Sequence, residues 1–271
     1  MQRGSSTWQV SDCDARDRQL IVDAHTHLYP NVTEEDAAYN LLKSTGTTGG
    51  EAIVRLLDRF KIDKAVLFPP GLTSAANSAL ADAVKRYPDR LIGFGTVHPL
   101  WEPEPSKRLD ETFILGIRGL KIHPWMQGIT LSEGIQRRFE ELFNQAAKLR
   151  MPVIFHSGTP PDTQCLQYTV LAEMFPDLNL IYGHMGLGYL WRDAIRSAKT
   201  HDNVYLETSG IQYPQAIREA LDTVGADKVI FGSDLPYLHP AVEMKKISIL
   251  RLPQDELEKV MASNILSLIP K

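Results

Sequence analysis

The sequence predicts an α/β fold, a single-domain (β/α)8 TIM barrel, and three observations carry that expectation. Eight short apolar runs are spread along the chain, starting near Leu20, Lys64, Leu91, Gly116, Pro152, Leu178, Asn203 and Lys228. Most are continuous rather than alternating, which is the pattern of parallel strands covered on both faces. Amphipathic stretches separate them, and several runs end in a residue able to bind a metal or carry a proton. The length of 271 residues exceeds an ordinary domain but suits one barrel of about 250 residues. A doubly wound open sheet is the runner-up and would place a glycine-rich phosphate turn after the first strand. Here that turn reads His25-Thr26-His27-Leu28-Tyr29-Pro30, and neither GxGxxG nor a P-loop pattern occurs.

Residues 1–19 are polar, with Gly4-Ser5-Ser6 and a charged run from Asp12 to Arg18, and read as a flexible lead-in to a barrel over 20–271. Leu20-Ile21-Val22 opens the first strand, which ends in Asp23-Ala24-His25-Thr26-His27. Strict alternation turns Asp23, His25 and His27 to one face, where two imidazoles two residues apart can hold one divalent metal. Glu51 to Phe60 has Ile53, Val54, Leu56, Leu57 and Phe60 at helical spacing, and Ser74 to Arg86 behaves similarly. The fourth strand, Gly119-Leu120-Lys121-Ile122-His123-Pro124, sets Lys121 and His123 on one face. Ser132 to Leu149 is the clearest helix, with Ser132 as a cap and Glu133 near the positive end of its dipole.

Val153-Ile154-Phe155 ends in His156-Ser157-Gly158, and Thr159 to Tyr168 reads as a polar loop that contains Cys165. The sixth run ends in Gly183-His184-Met185-Gly186 before a helix over Leu187 to Thr200. The seventh ends in Glu207-Thr208-Ser209-Gly210 before a helix over Pro214 to Val224. The eighth ends in Gly232-Ser233-Asp234, and a helix over Asp255 to Leu268 packs on the barrel wall. A core histidine satisfied by a carbonyl explains any one of these ends. Several together do not fit that explanation, because buried polar residues are costly unless they share a purpose.

At 43% hydrophobic and 23% charged, with a net charge of −4, the chain has no basic cluster that would recruit nucleic acid. No apolar run is long enough for a membrane partner. Cys13 and Cys165 are too few for a disulfide framework, which fits a reducing, cytoplasmic setting.

The strand-end motifs of the first, fourth, fifth, sixth and eighth strands together resemble the amidohydrolase superfamily. More narrowly, they are similar to the branch that holds lactone and amide hydrolases. That branch also includes the metal-dependent, non-oxidative decarboxylases of aminocarboxymuconate semialdehyde and hydroxybenzoates. The resemblance implies that His25, His27, His156 and Asp234 ligate the metal, with His184 beside the water it activates. The expected cofactor is one Zn²⁺ ion or another divalent metal such as Mn²⁺. His184 and Asp234 are the expected catalytic pair. In binuclear members a carboxylated lysine on the fourth strand bridges two metals; in this branch the site is mononuclear. Lys121 and His123 are therefore expected to line the substrate site.

The implied activity is hydrolysis of a small cyclic ester, amide or related carbonyl substrate through the metal-activated water. The alternative is decarboxylation of a small hydroxyaryl or muconate-type acid. The partner is a small molecule, and the family often forms homodimers, though no segment marks an interface. Glu207 is read equally as orienting a ligand histidine or as pairing with Lys121 or an arginine elsewhere on the rim. Among the aromatic residues at strand exits, Trp101, Trp125, Tyr29, Tyr182 and Tyr237 are candidates to clamp a planar substrate or to cover the barrel mouth.

Overall fold

The computed structural model of the chain describes residues 19–29, 34, 38–130 and 139–271. Eight parallel strands run in sequence order: β1 (Val22–His27), β2 (Lys64–Phe68), β3 (Leu91–Gly95), β4 (Gly119–Ile122), β5 (Val153–His156), β6 (Leu180–Gly183), β7 (Val204–Glu207) and β8 (Val229–Ile230). The ring closes where Ala24 N–H donates to the Phe231 carbonyl at 3.0 Å and His27 N–H to that of Leu235 at 2.7 Å. The expected (β/α)8 barrel is the fold.

Two apolar layers hold it. Val22, Ala24, Val66, Phe68, Phe94, Ile154, Ile181 and Ile230 fill the interior. Their strand neighbours, including Ala65, Leu67, Leu120, Val153, Phe155 and Leu206, pack outward against the helices. Helices Gly49–Phe60, Asn77–Arg86, Leu187–Thr200 and Pro214–Val224 stand within a few residues of where periodicity puts them. Of the expected helix over 132–149, Glu140–Lys148 is helical; Ser132 and Glu133 lie outside the described residues, as do Cys13 and the lead-in apart from Gln19.

Three differences have physical reasons. First, the register of β1 against β2 shifts between Asp23 and Thr26. Val22 and Ala24 enter the interior layer, yet His25 and His27 also face inward, so strict alternation fails and the irregularity re-aims the two histidines. Secondly, Cys165 does not lie in a loop. It opens helix Cys165–Met174 and is fully buried, and burial pushes its thiol up to about 12. That helix has no single apolar face, because Leu166 and Val170 are exposed while Tyr168, Leu171 and Ala172 are buried, so periodicity did not mark it.

Thirdly, the last helix is broken by a wider turn over Lys259–Ser263. There Val260 O accepts the Phe231 amide at 2.9 Å, and Asn264 Nδ2 donates to the carbonyls of Ala226 and Val229 at 2.7 and 2.8 Å. Its Ala262, Ile265 and Leu268 join the interior layer instead of only covering the wall.

Candidate metal centre

The carboxyl ends of the strands surround a cavity of about 560 Å³, lined by His25, His27, Lys121, His123, His156, His184 and Asp234 together with Tyr29, Phe68 and Tyr237. On the β1 and β8 side, Asp234 Oδ1 lies 3.0 Å from His27 Nε2 and 3.6 Å from His25 Nε2. Potential ligand atoms of these three residues all fall within 4.8 Å of one another. Donors held about 2.1 Å from one tetrahedral ion stand about 3.4 Å apart, so the spacing fits a divalent cation. The donor chemistry fits as well. Burial holds the imidazole of His25 well below its ordinary pKa and also lowers that of His27, so each ring is neutral with one nitrogen lone pair; His27 Nε2 bonds Asp234 Oδ1 and would exchange that hydrogen bond for a cation. Burial opposes ionisation of Asp234, but the hydrogen bond from His27 and the nearby His184 and Lys121 hold its carboxyl below the usual value.

The loops that deliver these groups are strained at the residues that matter. His184 and Asp234 have φ of 67° and 59°, left-handed values that non-glycine residues seldom adopt. Asp23 Oδ1 accepts from Ser233 N–H at 2.8 Å and from His25 N–H at 3.1 Å, and Asp23 also bonds the Ser233 hydroxyl. It therefore ties β1 to the loop that carries Asp234. Burial pushes the Asp23 carboxyl up to about 7. Between β5 and β6, Ser157 Oγ donates to Gly183 O at 2.7 Å and accepts from Gly186 N–H at 2.9 Å. A Cβ on Gly158 (φ +99°) would stand 2.4 Å from the Gly186 carbonyl carbon, so only glycine lets the two loops meet.

His184 sits with its ring 4.5 Å from that of His25, and its Nδ1 is 3.2 Å from Ser209 O and 2.9 Å from Ser209 Oγ. Burial lowers its pKa to about 4. Lys121 is buried, 3.2 Å from His25 Nε2 and 4.7 Å above the Phe68 ring, and burial lowers its ammonium to about 8. Of the partners open to Glu207, the structure shows a histidine, His25, whose Nδ1 is 2.7 Å from Glu207 Oε2. Burial raises the Glu207 carboxyl, and the N–H and O–H donors around it hold it back toward its charged form.

His123 and His156 form a separate pair on the β4 and β5 side. Their rings stack at 4.0 Å and 11°. His156 Nε2 meets Thr159 Oγ1 at 2.9 Å, and His123 Nδ1 accepts the Met126 amide at 3.4 Å. Burial and the neighbouring charges depress both, His123 to about 3. Of the expected metal set, then, His25, His27 and Asp234 converge. His156 faces the same cavity, its ring 4.7 Å from that of His184, but belongs to no donor group of three within 4.8 Å among the described residues.

Among the lining residues that the sequence does not single out are Phe68 and Gln127. Phe68 meets His25 and His27 edge-on at 4.8 and 5.2 Å, and Gln127 accepts the His123 amide at 2.7 Å while donating to Leu72 O at 3.0 Å. An apolar strand end and an amide in a four-residue helix carry no chemical signal of their own. Among the aromatic candidates, Tyr29 and Tyr237 line the cavity, while Tyr182 is buried in the outer layer with its hydroxyl 2.8 Å from Ser197 Oγ. Trp101 and Trp125 are exposed on the rim. The whole arrangement can hold a divalent cation, face an anion with Lys121, and move a proton at His184 or Asp234.

A family model described as Amidohydrolase matches residues 22–270. In sequence, the chain is 24% identical over 212 residues to the gamma-resorcylate decarboxylase of Rhizobium radiobacter, which covers 60% of this chain and 64% of that protein. The chain thus spans a little under two thirds of that relative's length. In structure, a probable 2-pyrone-4,6-dicarboxylic acid hydrolase from Acinetobacter baumannii superposes with a TM-score of 0.70 at 17% identity, covering 92% of this chain and 98% of that one. A 5-carboxyvanillate decarboxylase from Novosphingobium aromaticivorans, complexed with manganese and 4-hydroxy-3-methoxy-5-nitrobenzoic acid, superposes with a TM-score of 0.66 at 21% identity, covering 92% and 96%.

Proposed function

The chain belongs to the amidohydrolase family, and from that premise we propose that it is a metal-dependent, non-oxidative decarboxylase of a small hydroxyaryl or muconate-type carboxylic acid. The observation that carries this reading is the convergence of His25, His27 and Asp234 in a cavity also lined by the aromatic side chains of Tyr29, Phe68 and Tyr237. The decarboxylase of Rhizobium radiobacter supports it over hydrolysis, the activity the sequence put first. Hydrolysis stays as the second reading, favoured by the likeness to the pyrone hydrolase fold.

His25, His27 and Asp234 would hold the divalent cation, with His156 as a further donor from the opposite wall. Mn²⁺ and Zn²⁺ both suit imidazole and carboxylate donors. When bound, the cation would supply a Lewis acid for a substrate oxygen. Everything else falls to the chain itself. Lys121 faces the substrate's negative charge from the floor of the cavity. Loss of CO₂ leaves the bonding electron pair on carbon, and that carbon must take up a proton. Asp234 and His184 flank the position where it arrives. His184 has its Nδ1 against Ser209, which leaves Nε2 for the cavity.

The test is incubation of the protein, supplied with Mn²⁺ or Zn²⁺, with hydroxybenzoates and muconate semialdehydes in one series and with pyrone and other lactones in another. Release of CO₂ from a member of the first series, lost on chelation and restored by metal, is the expected result. Ring opening of a lactone without CO₂ release would overturn the decarboxylase reading in favour of the hydrolase.

A further inference from the structure

We propose that Glu207 is a positioning residue that fixes the tautomer of two imidazoles at once, His25 directly and His184 through Ser209. This inference rests on the reading of His25 as a metal ligand. Glu207 ends β7, is fully buried, and has both carboxylate oxygens engaged. Oε2 accepts from His25 Nδ1 at 2.7 Å, from the His184 main-chain N–H at 3.0 Å and from the Ser209 hydroxyl at 2.9 Å. Oε1 accepts from Ser209 N–H at 2.5 Å.

Main-chain N–H groups already point at both oxygens, which sets Glu207 as an acceptor on each; His25 then presents Nδ1 as N–H, and its lone pair lies on Nε2, the atom nearest Asp234 and Lys121. Ser209 spends its hydroxyl proton on Glu207. Its oxygen lone pairs therefore face His184 Nδ1 at 2.9 Å, beside its own carbonyl at 3.2 Å, and both accept. His184 is thereby also held as the Nδ1–H form with Nε2 free for the cavity. Ligation and proton transfer both need that Nε2 lone pair, and an outer carboxylate that sets it raises the basicity of the ligand.

The same atoms invite a rival reading, a second ion between His25, His184 and Glu207, whose potential ligand atoms also lie within 4.8 Å of one another. The contacts argue against it. The 2.7 Å from nitrogen to oxygen is a hydrogen bond, and three further donors turn their positive ends toward the same carboxylate, where a cation would be repelled. The sequence makes room for this arrangement at one position. A Cβ on Gly232 would stand 2.3 Å from Glu207 Oε1 and 2.9 Å from His25 Cβ, so the glycine before Ser233-Asp234 is what allows the carboxylate to reach the histidine.

The experiment uses the full chain and its Glu207→Gln, Glu207→Asp and Ser209→Ala variants. Mn²⁺ affinity is measured by chelator competition, the metal stoichiometry by elemental analysis, and the histidine tautomers by long-range ¹H–¹⁵N correlation on metal-free protein. Glu207→Gln is expected to weaken Mn²⁺ binding about 10- to 100-fold and to lose the Nδ1–H signature at both His25 and His184. Ser209→Ala is expected to disturb His184 alone and to leave Mn²⁺ affinity within about threefold of wild type, because His25 keeps its carboxylate. Glu207→Asp, one methylene short, serves if the glutamine variant fails to fold, and wild-type affinity there would overturn the proposal. So would unchanged tautomers in Glu207→Gln, or two ions in the wild type falling to one in that variant. A wild-type chain that shows both Nδ1–H forms but binds no Mn²⁺ would sink the decarboxylase reading and leave the tautomer assignment standing.

Discussion

The two histidine pairs at the barrel mouth are built from the same residue type at the same kind of strand end, yet their rings are held differently. His25 and His27 turn ring nitrogens toward one carboxylate, at 3.6 and 3.0 Å from Asp234 Oδ1. His123 and His156 lie flat against each other at 4.0 Å, with nitrogens spent on Thr159 and a main-chain amide. What separates them is acid. Asp23, Glu207 and Asp234 surround the first pair, while among the described residues no carboxylate contacts the second. In the proposed function carboxylates aim the nitrogens of His25 and His27 and offset the charge they would meet, while His156 would have to leave Thr159 to join them.

The contrast is easiest to break with activity. Asp234→Asn keeps the shape of the side chain but not its charge or its capacity for a proton. It should lower kcat about 100- to 10,000-fold, the range for losing a proton-transfer group. His123→Phe preserves the stack and should cost less than about tenfold, chiefly in KM. Both should retain their thermal midpoint within a few degrees. Equal damage from the two substitutions in steady-state kinetics would erase the distinction between the sides.

Metal affinity sharpens it. His27→Ala removes a member of the converging donor set and should abolish stoichiometric Mn²⁺ in a dialysed sample. His156→Ala removes the donor that must first leave Thr159, and should weaken binding only about tenfold. If His156→Ala proves as severe as His27→Ala, the stacked geometry is not the one the loaded protein uses.

Much of this was legible in the sequence. All eight strands follow from apolar runs, because burial on both faces leaves a composition that survives without context. The strand ends named His25, His27, Lys121, His184 and Asp234, and each lines the cavity. What could not be read was direction. A one-residue irregularity in β1 turns His25 and His27 inward and leaves Asp23 against Ser233, and no local pattern announces it. The partner of Glu207 was equally hidden, since His25 lies 182 residues away in the chain. Cys165 was misplaced because its helix spreads apolar groups around its axis and so lacks the one-sided signal that marks the others.

The smallest expected effect separates the sides by acid. His123 is held down to about 3 in the folded chain, first by burial and then by the charge of Lys121 and the neighbouring histidines. In the unfolded chain its pKa is near 6.5. Between those values the unfolded state binds the extra proton, so His123 costs stability as pH falls below about 6.5, with the loss growing toward pH 3. Asp23, with its carboxyl pushed up to about 7, works in the opposite sense. Its protonated form favours the fold, and its contribution fades as pH rises above about 4. The acid limb of the wild type therefore mixes both, and only a difference isolates the stack. Urea denaturation of metal-free wild type and His123→Phe at pH 7 and pH 5 should show the variant losing less stability over that interval. Parallel losses would mean that the His123 ring takes its proton in the folded state, and that the stacked side is as open to charge as the metal side.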